Sequence, residues 1–357
     1  MVDRALAAAG HRSGRYTSPH LVHLSERFVI DGQPVAPLAL ESVVTDVHDA
    51  VGGLLSRGQL QASPTFFEVT TAVAFEIFRR ARVDVAVCEV GLGGRLDATN
   101  VLQPVVTAIT SIGLDHQQYL GTTLAEIAGE KAGIIKRGVP VILGRLSPEA
   151  RTVIEEVASG LGAPIIPADD NRALERYSPI RLGLAGAHQV GNAVVAVRVL
   201  EELDRQGTAV PVAAIRSGLE TVVWPGRLER RRLADGREAL LDAAHNADGA
   251  RALRDHLAAS PPRPIVFAAM RDKDLRTIVE TIAPVVSAFV MTRASNVRSA
   301  DPEVLADLAR GTASRAIVAI EPVVGDALKH AWRLSRQIVV AGSIFLLGDV
   351  LKELERP

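Results

Sequence analysis

CEVGLGGRLDATN (residues 88–100), an apolar run, and then SIGLDHQQYLGTTLAEIAGEKAGIIK (residues 111–136) form the stretch that decides the fold of this 357-residue chain. Just before it, VDVAVCEVG (residues 83–91) is a near-continuous apolar run of strand length, the pattern of a central parallel strand buried on both faces. VVTAITSIG (residues 105–113) and PVILG (residues 140–144) predict two more strands, with helical spacing at 123–137 and 148–161 between and after them. Strands alternating with helices predict an α/β fold around a mostly parallel sheet, whose functional groups collect at the carboxyl ends of the strands. Glu89 sits at one such end, and Asp115 and His116 follow the next. Two strand ends are thus expected to deliver candidate ligands to one edge.

Outward from this stretch the same alternation continues. Upstream, residues 1–9 read as a helix without an N-cap, and Asp31-Gly32 reads as a tight turn between two short extended segments. YTSPHL (residues 16–21) reads as a loop with a proline turn, residues 40–60 as a helix, and a stronger helix follows Pro64. Its apolar face is Phe67, Thr71, Ala74, Phe75 and Phe78. Downstream, residues 189–205 form an amphipathic helix, and Trp224-Pro225-Gly226 breaks the periodicity. Beyond it, apolar strands at 238–243, 264–270, 288–292 and 337–341 alternate with helices. Two domains are therefore expected, residues 1–224 and 225–357, the second smaller and also α/β.

Composition narrows the function classes. Hydrophobic residues are 48% and charged residues 23%, with a net charge of −1, which gives no electrostatic reason for nucleic-acid or membrane binding. Cys88 is the single cysteine, so internal disulfides and cysteine-based zinc sites are excluded; this fits a cytoplasmic protein. No apolar run is long enough to span a bilayer.

Among groups that could do chemistry, Glu89 ends an apolar strand, where a carboxylate is costly to bury without a cation. The glycines at 91, 93 and 94 allow close backbone approach, though GLGGRL has Leu96 where a dinucleotide fingerprint needs its third glycine. Lys131 stands out because lysine is scarce: Lys136, Lys273, Lys329 and Lys352 are the others. An amine, unlike a guanidinium, can lose its proton and be modified. None of these lysines follows a glycine, so the sequence contains no phosphate-binding loop of the glycine–lysine–serine type. In the second half, Asp242 and His245 follow a strand and suit ribose or base contacts. Arg227 lies at the domain boundary, placed to reach a phosphate across a cleft.

Together YTSPHL, FFE, EVGLGGRLDATN, SIGLDHQQYLG, GEKAGIIK, GAHQVGN, WPGRLE and DAAHN, in this order over almost the whole chain, resemble the folylpolyglutamate synthase/dihydrofolate synthase family of the Mur ligase superfamily. The resemblance implies a P-loop-NTPase-like central domain and a Rossmann-like C-terminal glutamate ligase domain that close on ATP and substrate. It implies two Mg2+ sites, with Glu89, His116 and a carbamylated Lys131 as ligands, and makes Lys131, His116 and Arg227 catalytic. A monovalent cation is a further candidate. Thr65, Phe67, Asp97 and Ala98 match the folate-binding positions, and Asn192, Arg227, Asp242 and His245 the ATP contacts. The implied reaction joins L-glutamate to dihydropteroate or to folylpoly-γ-glutamate through an acyl phosphate, in a monomer acting on small molecules alone.

Members of the family carry a GTNGKGS-like loop ahead of the helix that here opens the chain. The resemblance therefore implies an N-terminally truncated sequence without that loop or the first strand of its sheet, leaving an exposed apolar edge and impaired turnover. A folate-binding or partner-binding protein without catalysis is the alternative. Another Mur-type ligase is a third, and the folate-loop residues weigh against it.

Overall fold

The three apolar runs around the glycine-rich turn do become parallel strands, but they fall into two sheets rather than one. The computed structural model describes residues 1–312 and 316–355, so the last two residues of the expected second domain lie outside them. Internal contacts divide the chain into two units, Met1–Gly183 with Val190–Val222, and Leu184–Gln189 with Val223–Pro357.

The first unit contains α1 (Val2–Ala8), β1 (Ser13–Tyr16), β2 (Phe28–Ile30), β3 (Gln33–Pro34), α2 (Pro37–Ser56), α3 (Phe66–Ala81) and β4 (Val85–Cys88). After these come β5 (Thr107–Ile109), α4 (Gln117–Leu120), α5 (Leu124–Ala132), β6 (Val141–Leu143), α6 (Pro148–Gly160), β7 (Ile165–Pro167), α7 (His188–Arg205) and α8 (Val212–Glu220). The strand order is β3-β2-β1-β4 in one sheet and β5-β6-β7 in the other. β1 pairs in parallel with β4 and antiparallel with β2, while the β5–β6–β7 sheet is wholly parallel.

Two expectations change here. β4 is not a central strand buried on both faces: it pairs only with β1, and Ala86 in its middle is exposed. Its apolar composition survives because Val85 and Val87 pack on one side against the cluster built from α1, α7 and α8. β4 and β5 are each the last strand of their own sheet, with one edge carrying no strand partner among the described residues. The strand ends bearing Glu89 and His116 therefore belong to separate sheets.

Local chemistry sets the helices that frame the site. Thr65 caps α3: its hydroxyl accepts the Glu68 N–H at 3.3 Å, and the Glu68 carboxylate accepts the Thr65 N–H at 2.7 Å. Thr123 and Glu126 make the same reciprocal cap on α5. α3 buries Thr70, Thr71, Val73, Ala74, Ile77 and Phe78 against Tyr16 and Phe28 of the first sheet. Asp31 (φ 50°) and Gly32 (φ 77°) make the tight turn between β2 and β3.

The second unit holds β8 (Glu229–Arg232), β9 (Glu238–Asp242), α9 (Ala247–Leu257), β10 (Arg263–Phe267), α10 (Leu275–Ile282) and β11 (Val286–Met291). It continues with α11 (Pro302–Thr312), β12 (Ile317–Ile320), α12 (Val324–Leu334), β13 (Gln337–Ala341) and α13 (Ile344–Leu354). Its single sheet runs β12-β11-β10-β13-β9-β8, parallel except for β8 at one edge. The central strands β9, β10 and β13 carry near-continuous buried runs, and Phe267, Phe289, Leu240 and Val339 lie in one core. No described helix is long and apolar enough to cross a membrane.

Candidate active site

The first unit builds its site around the turn that follows β4. Glu89 leaves the strand exposed, its N–H bonded to the Tyr16 carbonyl, and its Oε2 accepts the Ser18 N–H at 3.0 Å. The YTSPHL loop, read as a plain proline turn, thus touches the candidate metal ligand. Cys88 beside it is no nucleophile, since burial pushes its thiol up to about 11.

The glycines of the turn are required by two close approaches. A Cβ on Gly91 would lie 2.3 Å from Cζ of Phe67, and one on Gly94 would lie 2.9 Å from the carbonyl oxygens of Glu130 and Lys131. The turn is therefore clamped between the Phe67 ring and α5, the helix that carries Lys131. Arg95 fastens it, donating its N–H to the Glu130 carbonyl at 2.8 Å and its guanidinium to the Glu130 carboxylate at 2.9 Å. Gly91→Ala is expected to displace the Phe67 ring and cost about 1–3 kcal/mol, the range for overpacking a filled site. Thermal melting, with the ring resonances of Phe67 by NMR, measures both effects.

Asp97 is 8% exposed and holds the turn closed. Its Oδ2 accepts the N–H groups of Gly91 (2.9 Å) and Leu92 (3.0 Å), and its Oδ1 accepts the N–H (2.9 Å) and hydroxyl (2.6 Å) of Thr99. Four donors from the chain itself occupy the lone pairs expected of a carboxylate. The structure thus brings Phe67 and Asp97 together through Gly91, with Thr65 at the cap of the same helix and Ala98 beside Asp97 in a short 3-10 helix.

Lys131 lies in the last turn of α5 and is half-buried. Burial lowers its pKa below the ordinary lysine range, and the nearby Asp115 carboxylate opposes the shift without cancelling it. Asp115 also accepts the His116 N–H at 2.8 Å and faces the His116 ring at 4.0 Å. His116 takes φ 51°, a left-handed conformation unusual for a side chain with a Cβ and a mark of a constrained site. Asp115 is thus the element common to Lys131 and His116, a link that the sequence alone does not show.

The candidate metal ligands do not form a ready cage. Among the described residues no three His, Cys, Asp or Glu side chains gather closely enough to hold an ion. The donor set still fits magnesium as it usually binds, through one or two carboxylates plus water and substrate phosphates. Glu89 supplies one carboxylate, and Lys131 would supply another anionic group only as a carbamate.

In the second unit Asp242 ends β9 at 7% exposure, accepting the N–H groups of Leu228 (3.0 Å) and Ala244 (2.9 Å). Burial raises its pKa, against the pull of those amides, Arg227 and His188. Leu228, at φ 49°, is another constrained non-glycine residue. His188, from the GAHQVGN stretch, was not singled out in the sequence; it neighbours Asp242 and Arg227, and burial lowers its pKa, favouring the neutral ring. A Cβ on Gly186 would meet that ring at 2.6 Å, so the glycine is what lets His188 fold back. Its signal in the sequence was the glycine two residues earlier. His245 bonds the Ala243 carbonyl through Nδ1 at 2.8 Å, so its proton is on Nδ1 and Nε2 is left as an acceptor in the neutral ring. Arg227 is exposed. Asn192 is exposed on the first turns of α7 and groups with the first unit.

The relatives of this chain are ligases of the Mur type. The Mur ligase, glutamate ligase domain model matches residues 226–344. The chain is 34% identical to the dihydrofolate synthase/folylpolyglutamate synthase of Bacillus subtilis over 98% of its own length and 86% of the relative's. Among solved structures, Mycobacterium tuberculosis folylpolyglutamate synthase complexed with ADP and AMPPCP is similar at TM-score 0.90 and 34% identity, over 100% of this chain and 88% of that one. Escherichia coli FolC in complex with DHPP and ADP follows at TM-score 0.84 and 28% identity, covering 98% and 84%. The chain belongs to the folylpolyglutamate synthase/dihydrofolate synthase family, whose members are ATP-dependent ligases.

Proposed function

We propose that this chain supplies the site for ATP-dependent ligation of L-glutamate to dihydropteroate or to folylpoly-γ-glutamate. The observation that carries the reading is the clamped turn of residues 89–99, which ties Glu89, Phe67 and Asp97 to the helix of Lys131. Family membership supports the substrates, and the relatives solved with ADP and DHPP support ATP and a pterin-bearing acid as ligands.

Thr65, Phe67, Asp97 and Ala98 form the folate side. Phe67 offers its face to a pterin ring, while Asp97 acts chiefly by holding the backbone of the turn that walls the ligand. In the second unit Arg227, Asp242 and His245 form the nucleotide side, joined by His188, and Asn192 of the first unit is a further candidate for ATP. Arg227 is free of deep burial and suits a phosphate. Asp242, if ionised, accepts from a ribose hydroxyl. Mg2+, with Glu89, His116 and carbamylated Lys131 as its holders, would screen the charge of the transferring phosphoryl group. The carbamate forms when neutral Nζ of Lys131 bonds to the carbon of CO2 and releases one proton, turning a cation site into an anion.

In the reaction, a carboxylate oxygen of the folate acid attacks the γ-phosphorus and ADP leaves. The amine of glutamate then attacks the acyl carbon, and phosphate departs as the amide forms. The chain's own part is to orient these groups and exclude water. Ligation by this route is expected to release ADP only when dihydropteroate, glutamate and Mg2+ are all present. Omission of each component in turn checks it, and tight dihydropteroate binding with no ADP release under any condition overturns the reading.

A further inference from the structure

Arg27 ends the short 3-10 helix Leu24–Arg27 and is 7% exposed. Its close contacts come from three elements, and the Glu89 carboxylate adds a favourable charge nearby. Nε–H donates to His20 Nδ1 at 2.9 Å, the side chain hydrogen-bonds the Tyr16 hydroxyl at the end of β1, and Cζ lies 5.5 Å from the centre of the Phe66 ring on α3. Phe66 is itself 60% exposed, so the stack is not forced by core packing. Burying a guanidinium is expensive, and burial outweighs the favourable Glu89 charge here, so the rest of the return is geometric. Arginine Nε–H only donates, so His20 must accept on Nδ1 and carries its proton on Nε2.

Glu26, the preceding residue, completes the arrangement. Its carboxylate accepts the N–H groups of Leu21 (2.7 Å), Val22 (2.9 Å) and His23 (2.7 Å). Burial alone would raise its pKa, but these donors outweigh it and hold the carboxyl below its ordinary range. Residues 26 and 27 between them grip positions 20–23 of the loop whose Ser18 N–H meets Glu89.

We propose that Arg27 is a positioning residue that fixes the 17–23 loop against both Glu89 and the start of α3, so that the metal side and the folate side share one frame. This rests on the reading of Glu89 as a metal ligand. It assigns Arg27 no contact with substrate or metal.

The test uses the intact chain with 15N-labelled histidine and Mn2+ as the probe. In the wild type His20 is expected as a single Nε2–H tautomer. Arg27→Gln is expected to mix the tautomers and weaken Mn2+ binding by about tenfold, the lower end for loss of a residue that orients a ligand. Arg27→Lys keeps the buried cation but cannot reproduce the in-plane bond, so it should fold and still lose affinity. If Arg27→Gln fails to fold, Arg27→Lys carries the same readout. Unchanged His20 resonances, or Mn2+ affinity within about twofold of wild type in a variant of normal melting temperature, overturns the proposal. A wild-type chain that binds no Mn2+ overturns the metal reading of Glu89 instead, while the His20 tautomer still decides whether Arg27 holds the loop.

Discussion

Asp97→Ala is expected to lower the stability of the first unit by about 3 kcal/mol, because buried donors that lose their acceptor cost roughly 1–3 kcal/mol each and part of this turn regains water. For a unit of this size that corresponds to a fall of roughly 6–12 °C in melting temperature. The reason is the density of bonding: one carboxylate receives Gly91, Leu92 and both donors of Thr99. Asp97→Asn should cost less in stability, yet its amide sets an N–H against donors and should still open the turn. Dihydropteroate binding is expected to fall with both variants. If Asp97→Ala melts as the wild type does and loses only ligand affinity, the carboxylate acts on the ligand and not on the turn. Calorimetry beside a binding titration separates the two.

Lys131 carries the other large effect. Incubation with 13C-bicarbonate at about pH 8 is expected to give a carbamate resonance that Lys131→Arg abolishes, since a guanidinium stays protonated in proteins. Only the neutral amine reacts with CO2. Burial lowers the Lys131 pKa, so labelling should rise with pH and reach half-maximum below the ordinary lysine range. Asp115 favours the ammonium, so Asp115→Asn should move the curve to still lower pH. Labelling that follows the pH profile of surface lysines would remove the carbamate from the mechanism. The same shift has a sign for folding. The folded chain binds the Lys131 proton less readily than the unfolded chain, so its contribution is present above the unfolded pKa and lost as pH falls through the lowered one. Lys131→Met should flatten that slope.

Much of the second unit was legible because its strands are apolar throughout. Residues 337–341 were read to the residue as β13, and 238–243 came within one residue of β9. β8 was not legible: its sequence is Glu-Arg-Arg-Arg, and a polar antiparallel edge strand has no apolar period to detect. The α5 pattern was read five residues too long at its C-terminal end, because Ile134 and Ile135 continue the apolar spacing while the helix ends at Ala132. In the site, residue types pointed to Glu89 and Asp242, charged groups after apolar runs, and to Lys131 through the scarcity of lysine. What they touch was out of reach. The tie of Asp115 to Lys131, the grip of Asp97 on Gly91 and the return of His188 towards Asp242 are made across 6 to 54 residues, where spacing carries no information.

β4 and β5 each end a sheet, and this sets a clock on their amides. On the open side of each strand the peptide groups have no neighbouring strand among the described residues to hold their protons. Their deuterium exchange is set by local solvent access, while β6, with β5 on one side and β7 on the other and buried along its whole length, exchanges only when its sheet opens. Deuterium uptake in the first unit will therefore run inward from the strands that end its two sheets, β3 and β4 in one and β5 and β7 in the other, and anything that seats a strand along β4 or β5 will be seen first as the slowing of those few amides.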